Sequence, residues 1–205
     1  CNSVQTGFPM GIRGGSQAFI KFNEEGGITV ISGVVDNGQG NDNMLVQIAA
    51  EELGLSVDDV QLINADTEVT PSDPGSYSMC ETFIGGNAVR LAACAAKERL
   101  FAIAAESLGV DPAKLIAQNR KITAIDDPGK TVSIAKIVRT ALSRGESISG
   151  EGSYWPKVDP KREWVENPFG QLSETFSFGT VITEVKVDPE TGHVDVVHVT
   201  AAQDV

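Results

Sequence analysis

Two stretches of this chain carry the residue types that chemistry needs. The first is Asp36-Asn37-Gly38-Gln39-Gly40-Asn41-Asp42, which follows the apolar run Ile28 to Val35 and precedes the amphipathic run Asn43 to Leu53. A strand, a glycine-bearing turn and a helix start, in that order, suit an anion. First-turn N–H groups have no partner inside the helix, and the helix dipole is positive there. Gly38 and Gly40 allow open dihedrals and a close ligand approach. Asp-Asn-Gly is equally an ordinary turn, and Gly38-Gln39-Gly40 matches neither the dinucleotide fingerprint nor the phosphate loop with its Gly-Lys-Ser/Thr ending. The second stretch runs from Asp66 to Thr82, with Pro71 and Pro74 forbidding regular structure through its middle. Loops of this length are either functional or surface excursions. Ser76, Ser78 and Cys80 lie just before a long helical pattern, a second potential anion site with side-chain donors.

The remaining reactive residues point elsewhere. Three cysteines (Cys1, Cys80, Cys94) have no metal or cluster spacing and make no disulfide framework, which suits a reducing, cytoplasmic setting. A lone cysteine such as Cys80 is expected to be structural. His193 and His198 fall in a strand pattern on opposite faces, so no two-histidine metal site is expected. Glu81 reads as a solvated first-turn carboxylate. A net charge of −12 argues against nucleic acid, and no apolar run is long enough for a membrane span. With 41% apolar and 21% charged residues over 205 positions, the chain is expected to be globular with a real core. The start at Cys1 and the end inside a strand pattern suggest an excised piece.

The elements that must position these loops are legible in order. Gly7 to Gly15 is an irregular entry segment. Ser16 to Phe22 and the Ile28 strand form a hairpin across Asn23 to Gly27. In the helix from about Asn43, Leu45, Ile48, Ala49 and Leu53 face a core, with Asn41 or Asp42 as cap and Gly54 as stop. Val60 to Asn64 completes a strand–helix–strand unit. The longest helix runs from about Thr82 or Gly85 to Leu108, with Val89, Ala92, Ala93, Ala96, Leu100 and Ile103 on one stripe of small side chains. A short helix starts at Asp111-Pro112, and Arg120 to Ile125 is a strand. A helix capped by Thr131 or Ser133 carries Ile134, Ile137, Val138 and Leu142 and ends at Gly145. Ile148 to Trp155 is strand-like and Pro156 to Gly170 a loop. Phe176 to Val187 and Val194 to Ala202 form a hairpin across Asp188 to Gly192, whose alternation implies one buried face. The fold class is α+β with α/β layers, mixed sheets packed with helices.

Taken together, the loops resemble the molybdenum-cofactor-binding subunit of the xanthine dehydrogenase and aldehyde oxidase family, the molybdenum hydroxylases. The matching stretches are Val35 to Gly40, Gln47 to Gly54, Asp66-Thr67 with Thr70-Pro71, Gly75-Ser76-Tyr77-Ser78, Gly86-Asn87-Ala88-Val89, Glu184 to Gly192 and Ala201 to Val205. The resemblance implies one domain fragment over 1–205, with two subdomains at about 1–109 and 110–205, folded like that family's second molybdopterin-binding domain. It implies that Gly38, Gln39, Gly40, Asn41, Ser76, Tyr77, Ser78, Met79 and Cys80 bind the molybdenum cofactor, as molybdopterin or its cytosine dinucleotide. Both helix starts would then face one anionic ligand. Met79-Cys80 departs from the Ser-Arg of many members, with softer side chains in place of two polar groups. The family's other cofactor loop would lie upstream and its catalytic glutamate downstream, so no catalytic residue and no protein metal ligand is expected here. Implied partners are the rest of the molybdenum subunit, iron–sulfur and FAD subunits, and an aldehyde or N-heterocyclic substrate. The competing readings are a cofactor-less assembly module and a phosphate-binding module.

Overall fold

The structure is a computed structural model that describes residues 2–5, 15–73, 75–76, 80–156 and 175–203. The entry segment before residue 15, the loop from residue 157, and the site candidates Tyr77, Ser78 and Met79 lie outside them. In chain order the elements are β1 (Asn2–Gln5), β2 (Ser16–Phe22), β3 (Ile28–Ser32), α1 (Asn41–Leu53), β4 (Val60–Ile63), α2 (Gly86–Leu108), β5 (Leu115–Gln118), β6 (Lys121–Ala124), β7 (Asp127–Ser133), α3 (Ile134–Ser143), β8 (Ser149–Tyr154), β9 (Thr175–Val187) and β10 (Val194–Gln203). They fall into two compact units, 12–156 and the pair of segments 1–11 with 157–205.

In the larger unit a four-stranded sheet has the order β4-β3-β2-β8. β2 pairs antiparallel with β3 and β8, placing Ile20 opposite Val30 and Gly150, and β3 pairs parallel with β4. The β3–α1–β4 crossover expected from the sequence is therefore present. Alternation along β2 buries Ser16, Ala18, Ile20 and Phe22 and leaves Phe19 and Lys21 exposed, so one sheet face carries the core. α2 lies against β8 with Ala88, Ala92, Ala93 and Ala96 buried. A Cβ on Gly152 would stand 2.1 Å from the Ala88 carbonyl oxygen, and one on Gly150 would stand 2.1 Å from that of Ala92. Glycine is the residue that permits this backbone-to-backbone approach.

The second sheet, β5-β6-β7, is smaller and was only partly expected, since its outer strands are short or polar. It buries Leu115, Ile122, Ala124 and Val132 against α3, whose core residues are Ile134, Ile137, Val138 and Ala141. Leu142, expected inside, is exposed: the apolar stripe of α3 runs through Ala141 instead. Ser133 caps α3 by accepting from the Lys136 N–H. The Asp111-Pro112 start makes a single 3₁₀ turn, Pro112–Lys114, rather than a longer helix.

The smaller unit is a three-stranded antiparallel sheet in the order β1-β9-β10. The β9–β10 hairpin is where the sequence placed it. Its expected buried face is not found: Val181, Val185, Val187, Ile182, Val194, Val196, Val197 and Val199 are all exposed. A register shift between Val196 and His198 further breaks the strict alternation on which that expectation rested.

Candidate functional site

The loop between β3 and α1 is organised by the Asp36 carboxylate. Oδ1 accepts from the Gly38 N–H at 2.5 Å and the Gly40 N–H at 3.4 Å, and Oδ2 accepts from the Asp42 N–H at 3.2 Å. These amides, that of Gly38 most of all, hold the exposed Asp36 carboxyl below its ordinary range. The sequence reading makes Asn41 or Asp42 the cap of α1; neither caps it. The N-cap is Gly40 in a left-handed conformation, without a side-chain cap of its own, and Asp36 reaches in from upstream. An acceptor two residues before Gly38 is the local signal that could have announced this. Asn41 is instead buried, donating to the Val35 carbonyl at 3.4 Å, and Asp42 accepts from Asn64 Nδ2 at 2.5 Å. Gly38 (φ +106°) and Gly40 (φ +90°) both need glycine, and a Cβ on either would meet nothing within 4 Å. The loop therefore presents bare backbone to open space. Gln39 folds back locally, its Oε1 accepting from the Asn37 N–H at 2.7 Å.

The second loop is stitched onto the first. Ser76 Oγ donates to the Val35 carbonyl at 2.8 Å across 41 residues of sequence. A Cβ on Gly33 would stand 2.2 Å from the Pro71 carbonyl oxygen, so the two segments touch at that point. Asp73 anchors the crossing, accepting from Ser16 Oγ at 2.7 Å and from the Gly75 N–H at 3.0 Å. The helix starts are neighbours too: a Cβ on Gly86 would lie 3.6 Å from Met44 Sδ and 2.9 Å from Ile48 Cδ1, both on α1. The structure thus brings Gly38 to Asn41 and Ser76 to one end of the α1–α2 pair.

α2 is entered through a wider π turn, Glu81–Gly85, preceded by Cys80. Glu81 is not the solvated carboxylate expected there: it is 4% exposed. Both of its oxygens are buried without a hydrogen-bond partner among the described residues. Burial, then the charge of Asp73, push its carboxyl up to about 7, and the nearby Ser76 hydroxyl opposes this weakly while spending its own bond on Val35. The side chain folds inward because the turn sets it against the core side of the helix, which an amphipathic pattern read from Gly85 onward does not report. Cys80 is buried, and its thiol is raised by burial and by the charges of Glu81 and Asp73, the opposite of an activated nucleophile.

Other candidates separate. His193 Nε2 lies 3.2 Å from Asp195, and His198 Nε2 lies 3.1 Å from Thr200 Oγ1 in a local contact. Cys94 has its thiol raised by burial and by Glu52, which is itself paired to Lys97. Among the described residues no cluster of three His, Cys, Asp or Glu could hold a metal, and no helix is long and apolar enough to cross a membrane.

Comparison with known proteins bears directly on this geometry. The chain is 32% identical to the putative xanthine dehydrogenase molybdenum-binding subunit of Escherichia coli K12, over 70% of this chain and 20% of that protein. It is 28% identical to the gamma subunit of the 6-hydroxypseudooxynicotine dehydrogenase complex of Paenarthrobacter nicotinovorans, over 84% of this chain and 21% of that protein. The chain thus spans about a fifth of the length of these curated relatives. Among solved structures, CO dehydrogenase from Oligotropha carboxidovorans superposes with a TM-score of 0.82 at 22% identity, covering 98% of this chain and 25% of that one. Quinoline 2-oxidoreductase from Pseudomonas putida 86 gives 0.80 at 20% identity, covering 98% and 26%. These two likenesses bear on the fold, and they agree with the α+β class. A family model described as the molybdopterin cofactor-binding domain matches residues 2–205, and the chain belongs to that family.

Proposed function

We propose that this chain forms the cofactor cradle of a longer molybdenum hydroxylase. The observation that carries the reading is the Ser76 to Val35 hydrogen bond, which draws the second loop onto the first beside two adjacent helix starts. The loop lets a flat pterin come close to the backbone: Gly38 and Gly40 carry no side chain and a Cβ on either would meet nothing within 4 Å, while their N–H groups are held by Asp36. Gln39 would turn its amide from Asn37 to the pterin, and Asn41 would hold the loop's inner edge through Val35. Ser76, with Tyr77, Ser78, Met79 and Cys80, would line the phosphate or cytosine dinucleotide end. When bound, the cofactor supplies a Lewis-acidic, redox-active metal that activates water. The residues present fit that group as a backbone cradle with no metal ligand of their own.

The share of the family's length that this chain covers supports a division of labour in which base and substrate contacts lie elsewhere, so the chain alone is inactive. The relatives' names, a dehydrogenase complex subunit and a xanthine dehydrogenase molybdenum-binding subunit, support an N-heterocyclic substrate and a heteromeric complex; an aldehyde substrate and iron–sulfur and FAD partners follow from the family resemblance alone. The cysteine pattern supports the cytoplasm.

Metal and pterin analysis of the purified intact protein tests this, alongside Gly38→Val. The expected result is bound molybdenum and pterin in the parent, and their loss in the variant with the circular dichroism spectrum retained. An intact protein that stays metal-free and pterin-free when matured in a host that makes the cofactor would overturn it and leave the assembly-module reading. Tight binding of simple phosphate esters without pterin would favour the phosphate-binding module.

A further inference from the structure

Register sorts the side chains of the β9–β10 hairpin onto two unlike faces. Val187 lies opposite Val194, and Val185 opposite Val196. Past the register shift, Thr183 lies opposite Val199 and Val181 opposite Ala201. Cross-strand partners share a face and alternate residues of a strand return to it, so these positions form one continuous surface. The shift is what keeps it continuous: Val197 is the extra residue of a bulge, and Val199 comes back to the side of Val196. The other face sets Lys186 against Asp195, Glu184 against His198 and Thr180 against Ala202, a mixed surface suited to water. The six valines of the first face are each between 47% and 62% exposed.

The larger unit shows how the same chain treats a comparable face. Ala18, Ile20 and Phe22 on the inward side of β2 are at most 4% exposed, and α2 packs against that strand. The valine face has no such cover among the described residues, and none of their strands pairs with the outer edge of β10. A contiguous apolar face beside an open strand edge marks a surface that associates. Charge and length say with what. A net charge of −12 on each chain opposes a face-to-face meeting with a second copy. The chain spans about a fifth of its curated relatives, so most of a parent of that length lies beyond it. A tethered segment reaches the face without the loss of free translation that a separate partner bears. We propose that the valine face of the β9–β10 hairpin is an interior surface of the intact protein, closed by an apolar face from the rest of the same polypeptide. The charged face of the hairpin stays in water. Only the longer parent, and not its cofactor, is taken from the proposed function.

The test places single cysteines in the intact protein, Val196→Cys and Val199→Cys on the valine face and Thr180→Cys on the other. Labelling by a water-soluble maleimide is followed at each new cysteine by peptide mass spectrometry. The two valine-face cysteines should react at least about tenfold more slowly than the one at position 180, since labelling there must wait for local opening. The protection should hold on dilution and in the intact polypeptide purified free of other subunits. Equal labelling of the two faces would overturn the proposal. Protection that vanishes on dilution would give the face to a second copy, and protection that needs another subunit would give it to that subunit; either result overturns the proposal too. Should the cysteine variants fail to fold, hydroxyl-radical footprinting of the unaltered intact protein still answers. Val196 and Val199 should then be oxidised at least about tenfold more slowly than in the denatured protein, and equal oxidation would overturn the proposal. Pterin analysis of the same samples separates the two readings. A pterin-free protein with a shielded valine face sinks the proposed function and keeps this inference, and a pterin-loaded protein with an open one does the reverse.

Discussion

Two carboxylates stand at the starts of α1 and α2, and their surroundings set them apart. Asp36 lies in the open, gathers the amides of Gly38, Gly40 and Asp42, and is held below its ordinary range. Glu81 lies inside, gathers nothing among the described residues, and is raised to about 7. Both starts look alike as sequence, an acidic residue beside glycines before an apolar run. Donors decide the first case and desolvation the second. A helix start is therefore not an anion site until the claims on its amides are known: at α1 the protein's own anion already holds the first-turn amide of Asp42, the N-cap amide of Gly40 and that of Gly38 just before.

The contrast can be broken at its common footing or at either end. The largest effect is expected from Gly152→Ala, whose Cβ would stand 2.1 Å from the Ala88 carbonyl oxygen and 2.3 Å from the Ala92 nitrogen. Backbone cannot step aside cheaply, so a loss of about 3 kcal/mol is expected, a drop of roughly 6–12 °C in the thermal midpoint at this chain length. Glu81→Gln comes next. The folded protein holds the Glu81 proton up to about 7 while the unfolded chain releases it near 4.5, so the parent loses stability between those values and none beyond. The variant should therefore gain on the parent by on the order of 2–3 kcal/mol at pH 8 relative to pH 4, read by denaturant titration at both. Ser76→Ala removes the stitch to Val35 and should cost about 1 kcal/mol, the same at every pH, with faster exchange at Asn37 and Gly38. Asp36→Asn should have the smallest effect at neutral pH. Its signature is the sign: the carboxyl's contribution is present above the ordinary Asp value and lost as pH falls through the lowered one, so parent and variant should converge in acid. A variant that instead grew weaker in acid alongside the parent would show that Asp36 contributes little.

What the sequence made legible was local. α1, α2, α3, the β3–α1–β4 crossover and the β9–β10 hairpin follow from spacing and stop residues within each segment, and the structure has them all. β7 was missed because Asp127 to Lys130 has no apolar alternation, its burial being limited to Val132. The core side of Glu81 was missed for a tertiary reason: a π turn rotates the helix entry, and only Ser16 and Val34, far upstream, make that side an interior. The Ser76 to Val35 bond spans 41 residues and leaves no trace in either loop alone. The family likeness placed the two loops together where the residues by themselves could not, and the hairpin's alternation suggested a covered face that the described residues do not have.

The seating of α2 on β8 has a mechanical corollary. With glycine Cα atoms pressed against the helix backbone at Gly150 and Gly152, the rod cannot slide along the strand without running the next side chains into it. Compliance is left to the entry, where the closing Gly86 N–H is shared between the carbonyls of Glu81 and Phe83. Displacement at the entry is thus taken up within the Glu81–Gly85 turn, and the long rod behind it serves as an abutment instead of a messenger.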